Sequence, residues 1–321
     1  MLDALKFVQG AVAKKDFIPA LTHFHISGGF IKSYNGSLAL CSPIDLDLEV
    51  TPKADQFIKA IATCKDTVQL NMTPAGRLSI KSGSFRAFVD CIDEAYPDIQ
   101  PEGEVLELDG ALLKALEKLN PFIAEDASRQ WARGILFRGS SAFATNNVTL
   151  VEYWLGYNFP VEVNVPKSAV QELIRIGEEP TKIQVCENSI TFHYASGRWL
   201  RTQTYSTKWP DVAKILDQDS TQRPFPEGFF EALEDLLPFA DDLQRVYFHS
   251  SGLGTTPEGQ EKGAHVEVPG LRGAGIYNAR YLLDLRDLAH TIDFESYPRP
   301  SLFFGDRVRG AIIGMRPGNA I

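Results

Sequence analysis

Residues that signal metal or redox chemistry are scarce in this chain. Its 321 residues include four cysteines, Cys41, Cys64, Cys91 and Cys186, with no Cys-x-x-Cys pair and no histidine beside them at ligand spacing. That argues against a disulfide framework and a zinc site, and leaves reduced, mostly buried thiols. Long apolar runs are missing too. None approaches the roughly 18 residues of a membrane span, and the opening MLDALKFVQG lacks the charged and apolar regions of a signal peptide. Positive charge is in deficit, with 32 Lys and Arg against 41 Asp and Glu, a net charge of −9. Such a chain does not coat nucleic acid indiscriminately, although an acidic body can still carry a local basic surface. A soluble, cytoplasmic protein without metal or cofactor is the expectation.

Catalytic motifs are equally thin. His23 and His25 alternate as two metal ligands could, but no third ligand accompanies them, and one strand face explains them as well. Asp45, Asp47 and Glu49 alternate without the spacing of a calcium loop. SGLGTT at 251–256 lacks the lysine and following helix of a phosphate-binding loop, and GSLALCS has no general base near its cysteine. No enzyme reading emerges.

Repetition is what the chain does have. Leu2, Leu5, Val8 and Val12 make one apolar helical stripe, and the stretch from Leu21 to Val50 alternates polar and apolar residues with breaks at Gly28-Gly29 and Asn35-Gly36, as short antiparallel strands do. VTPKADQFIKAI then reads as strand into helix, with Pro52 in the first turn, and TVQLNM, GRLSIKS and FRAFVDCI read as strands up to Tyr96-Pro97-Asp98. The order restarts from Leu106. Leu108, Leu112, Leu116 and Leu119 predict a helix, GILFRG, SAFATN and TLVEYWL strands, and VNVPKSAVQELIRI a second strand-to-helix entry. The strands TKIQVC, SITFHY and RWLRTQTY follow, toward Trp209-Pro210-Asp211. Pro52 and Pro166 stand 114 residues apart and the two Pro-Asp closures 113, so two independent landmarks share one period.

A third copy is fainter. DQDSTQRPFPEG at 217–228 reads as a linker, FFEALEDLLPFA as a helix, RVYFH and AHVEV as strands, and IYNARYLLDLRDLA as strand into helix, with TIDFES, SLFFGD and RGAIIGM closing the copy. Three α+β domains are predicted, at 1–103, 104–217 and 218–321, each with two helices laid on antiparallel sheets. Outer strands of such domains remain open edges unless they pair with a neighbour. Two chains joined head to tail would use both terminal edges and close a ring of six domains as a homodimer.

At this level of detail the chain resembles the bacterial sliding clamp, the beta subunit of the replicative DNA polymerase holoenzyme. The likeness spreads over essentially the whole sequence: KKDFIPALTHFHI at 14–26, ARGILF at 132–137, FATNN at 143–147, the Pro166-Lys167 entry, KWPD at 208–211, IYNARYLLDL at 276–285 and IIGMRP at 312–317. It departs where the family has Thr-Asp-Gly-His-Arg-Leu and this chain has Thr145-Asn146-Asn147-Val148-Thr149-Leu150, and where Met315-Arg316 is followed by PGNAI. These departures suggest a divergent member, compatible with a bacteriophage origin, acting in bacterial cytoplasm or an infected cell.

The resemblance implies a non-catalytic processivity factor that encircles duplex DNA without reading sequence and tethers the polymerase. It places the helices at the hole, so Lys14, Lys15, Lys59, Lys114, Lys118, Lys167, Arg175 and Arg280 are the candidate DNA contacts. It also implies an apolar groove for short linear peptides of the polymerase and clamp loader, walled here by Ala132, Thr145, Val148, Leu150, Ile313 and Met315. Replacing the family's His-Arg by Val148-Thr149 predicts a more apolar groove or a lost one. The competing expectation is a repeat-built structural or interaction scaffold that binds no DNA.

Overall fold

The computed structural model of the chain describes residues 1–125, 128–205, 208–259 and 262–316. The tail PGNAI, 317–321, lies outside the described residues. Seven α-helices punctuate the described chain: α1 (Leu2–Val8), α2 (Ala54–Thr63), α3 (Leu113–Leu119), α4 (Lys167–Ile176), α5 (Ala213–Leu216), α6 (Phe229–Leu236) and α7 (Ala279–Leu283). Each longer helix buries one stripe. In α2 it is Ala54, Phe57, Ala60 and Ile61, and in α4 it is Ala169, Val170 and Leu173 with the carboxylate of Glu172.

Four antiparallel sheets carry these helices, and they are not confined to one repeat each. In the seven-stranded sheet the strands run His25–Ser27, Phe30–Tyr34, Leu38–Pro43, Trp199–Gln203, Ser189–His193, Lys182–Cys186 and Glu104–Glu107. Its centre is a seam between copies, where Trp199, Leu200, Arg201 and Thr202 face Cys41, Leu40, Ala39 and Leu38. The eight-stranded sheet repeats the device. From Val163–Pro166 it passes through Gly134–Arg138, Ser141–Thr145 and Thr149–Trp154, and there meets Val308–Ile312, Ser301–Gly305, Thr291–Ile292 and Arg223–Pro224. At that second seam Thr149 through Tyr153 pair with Ile312 through Val308, and Glu152 forms an ion pair of 2.5 Å with Arg309 directly opposite.

Two smaller sheets stay within one copy. One comprises Gln69–Met72, Arg77–Ser82 and Phe85–Asp90; the other comprises His265–Glu267, Gly252–Gly254, Arg245–His249 and Ile276–Asn278. The chain therefore divides into two compact units, residues 1–113 with 168–204 and residues 114–167 with 205–321.

Three local readings of the sequence are corrected. Pro52 stands ahead of α2, whose N-cap is Lys53, and not in its first turn. The helix predicted from Leu108 starts only at Leu113, because Glu104–Glu107 pairs with Lys182–Val185 just before it and Asp109-Gly110 interrupts the helical pattern. The backbone N–H groups of Leu112 and Leu113 instead donate to the Glu179 carboxylate, at 2.8 and 3.1 Å. The stretch 217–228 is not merely a linker: Arg223–Pro224 forms an edge strand on Thr291–Ile292, where a proline is tolerated. The four-residue α5 lies beyond reach of any periodicity argument.

Candidate functional site

The first unit holds a basic cavity beside α2. Its volume is about 800 Å³, and its walls include Lys14, Lys15, His23, Lys53, Asp55 and Ile58. Lys53 precedes α2, where its N–H donates to Asp90 O at 2.8 Å and no side chain caps the helix. The positive end of the helix thus adds to three lysine charges that make no ion pair among the described residues. His23 is buried, with Nδ1 2.7 Å from Pro19 O, and His25 stacks on Tyr96 with centroids 5.0 Å apart. They do not share a ligand. Among the described residues no group of three His, Cys, Asp or Glu could hold a metal ion, and no helix is long and apolar enough to cross a membrane.

The remaining candidate cations stand in different circumstances. Lys59 is exposed and pairs with Asp55 at 3.6 Å. Arg175 is committed internally: its guanidinium donates to Lys6 O at 2.9 Å and Phe7 O at 2.8 Å, and grips the buried Glu172. These carbonyls belong to the last turn of α1, so Arg175 caps that helix. Lys114 is exposed without an ion pair, Lys118 donates to Asp287 O at 2.6 Å, and Lys167 pairs with Glu125 at 3.0 Å. Arg280, on α7, is exposed. Of the eight, Lys14, Lys15, Lys114 and Arg280 present the least encumbered charge.

The second unit assembles the peptide-groove candidates around the end of its seam. Ala132 is fully buried, Thr145 and Leu150 nearly so, Val148 and Met315 are half-buried, and Ile313 is 47% exposed. Backbone geometry brings them together. Ile313 N donates to Val148 O at 3.0 Å, extending the pairing of Leu150 with Ala311, and Ala124 N donates to both Ala132 O and Thr145 O. The turn between strands is built by Asn146, whose Oδ1 accepts from Val148 N and Thr149 N, and by Asn147 in the left-handed region at φ 72°. Met315 is held by its N–H to Ile276 O and its carbonyl to the Tyr297 hydroxyl at 2.8 Å. Beneath lies a core of Leu136, Phe143, Leu150, Trp209, Leu302 and Ala311, with Trp131 and Ile215 half-buried against it. Ile215 sits on α5, so the sequence reading missed it together with that helix. The apolar pair Ile215-Leu216 after Trp-Pro-Asp was the available signal.

A repeated α+β fold, with helices on antiparallel sheets that run across its repeats, is a sliding-clamp fold. Solved structures bear this out: Caulobacter crescentus DNA polymerase III beta matches with a TM-score of 0.81 at 18% identity, over 98% of this chain and 97% of that one. The Bacillus subtilis DNA polymerase sliding clamp matches at 0.81 and 16% identity, over 99% and 97%. The Helicobacter pylori beta clamp bound to a DNA ligase peptide matches at 0.79 and 17% identity, over 98% and 97%. No protein-family model matches the sequence, and no curated protein sequence does. This chain therefore has the fold of the bacterial DNA polymerase III beta clamp over nearly its whole length.

Proposed function

We propose that two copies of this chain pair head to tail into a ring of six domains, with boundaries at 1–103, 104–217 and 218–321, that encircles duplex DNA. The ring acts as a processivity factor, tethering a replicative polymerase and catalysing nothing itself. One observation carries the reading. Each seam joins the last strand of one copy to the third strand after the first helix of the copy before it: Trp199–Gln203 to Leu38–Pro43, and Val308–Ile312 to Thr149–Trp154. Applying the same rule once more leaves Phe85–Asp90 and His265–Glu267, and each is the edge of its own sheet. Two chains satisfy both edges by two-fold symmetry.

Sliding demands phosphate contact without base reading, which suits flexible lysines. Lys14, Lys15, Lys59, Lys114, Lys118, Lys167, Arg175 and Arg280 are the proposed contacts, with the four unencumbered cations leading. The half-exposed Val148, Ile313 and Met315, backed by Thr145, Leu150 and Ala132, are the proposed seat for linear peptides of the polymerase and its loader. The Helicobacter clamp holding a peptide supports that use of the fold.

Topology tests the ring. Protein assembled on closed circular DNA is expected to stay bound at high salt and to be lost once the DNA is linearised. Release from both templates at the same modest salt would leave the non-DNA scaffold reading in its place.

A further inference from the structure

Phe17 is fully exposed, and its neighbour Ile18 is 55% exposed. An aromatic ring left in water forgoes about 1.5–3 kcal/mol of burial, which a partner covering it would recover. The loop that displays it is tied down. Ala13 N donates to Leu21 O at 2.9 Å, Ile18 N to Asp16 Oδ1 at 2.9 Å, and Leu21 N to Ile18 O at 3.1 Å. The same loop walls the basic cavity through Lys14, Lys15, Asp16 and Pro19, with Lys53 also in the wall; Phe17 and Ile18 stand in the chain between two wall residues, outside the wall itself. The two carboxylates there are already engaged, Asp16 by Ile18 N and Asp55 by Lys59. In a chain of net charge −9, an unpaired lysine trio beside a bare aromatic ring is complementary to one chemistry above others: anionic phosphate next to a flat base.

Given that the chain binds DNA as proposed above, we infer that this loop and cavity grip an unpaired nucleobase of single-stranded DNA, with Phe17 as stacking platform and Lys14, Lys15 and Lys53 on the flanking phosphates. Duplex DNA cannot use Phe17, because its bases already stack on one another; it engages only the lysines. A cavity of about 800 Å³ has room for an extruded nucleotide, and Val12, Pro19 and Ile58 give it an apolar lining. The grip thereby distinguishes the strand beyond a primer end from the duplex behind it.

The experiment compares fluorescence anisotropy of the full chain with a labelled oligothymidylate of about 12 nucleotides and with a blunt duplex of equal length. The wild type is expected to bind the single strand more tightly. Phe17→Ala should weaken single-strand binding by about 5- to 100-fold, one base–aromatic stack, and leave duplex binding unchanged. Phe17→Trp should retain the affinity and show indole quenching on binding. Lys14→Gln with Lys15→Gln should weaken both ligands and flatten the salt dependence by about one to two counterions. Unchanged single-strand affinity in Phe17→Ala, or equal loss on strand and duplex, overturns the grip. So does a Phe17→Ala defect confined to a polymerase peptide, which would make the ring a protein contact. Failure of topological retention with the Phe17 effect intact would sink the clamp reading and not the grip.

Discussion

Arg175 shows how a residue can be read correctly for charge and differently for employment. A basic residue late in an amphipathic helix predicts a cation for phosphate, yet its donors close the end of α1 and neutralise the buried Glu172. Gly10 completes this arrangement, since a Cβ there would come within 1.9 Å of the Glu172 carboxylate. Arg175→Met should lower stability by about 1–3 kcal/mol, read as a urea midpoint, the partial exposure of the ion pair moderating the loss. Histidine supplies a pH prediction. Burial, aided by Lys32 beside His25 and Lys182 beside His193, lowers both pKa values from 6.5. The folded state then binds fewer protons than the unfolded one, so stability is full above about pH 6.5 and falls as pH drops through that value. The urea midpoint should be lower at about pH 5.5 than at pH 7.5, and replacing both histidines by Asn should flatten the difference.

Among the elements, what was legible in the sequence follows signal strength. Pro52 and Pro166 marked the two strand-to-helix entries because a proline before an apolar stripe fits few other structures. Strand clusters were visible through alternation. The pairing of Leu38–Pro43 with Trp199–Gln203 was not, because alternation says which face is buried and nothing about which distant strand lies alongside. The same limit hid the core beneath the proposed groove: Leu150 and Trp209 read as separate landmarks until the second seam put them in one core. That seam depends on Gly310. A Cβ there would meet the Phe303 ring at 2.2 Å and Leu150 O at 2.5 Å. Gly310→Val should therefore cost at least about 1–3 kcal/mol in thermal or urea unfolding. Substituting surface residues of the groove should do something else. Val148→Asp with Ile313→Asp is expected to leave the unfolding midpoint nearly unchanged while abolishing anisotropy changes with a labelled polymerase-tail peptide.

For the whole molecule the proposed ring rests on two edge strands, Phe85–Asp90 and His265–Glu267. Phe85–Asp90 shows how an unpaired edge can be kept from aggregating: Arg86 lies over the half-exposed Phe88 ring at 4.9 Å, and Asp90 pairs with Arg77. Phe88→Asp should drop the sedimentation mass from twice the 35.6 kDa chain mass to that of a single chain, with the fold retained by circular dichroism. The seams also differ in extent. Inside the chain they register four residues at one place and five at the other, whereas the His265–Glu267 edge offers three. Backbone pairing resists tension roughly in proportion to the bonds loaded together, so in a closed pair of chains an outward pull concentrates on the shortest stretch. In the ring proposed above, the contact between chains is then the latch, being shorter than either internal seam. Opening the proposed ring then needs work at one such contact only, and its three residues would set how long the closed ring lasts before it springs.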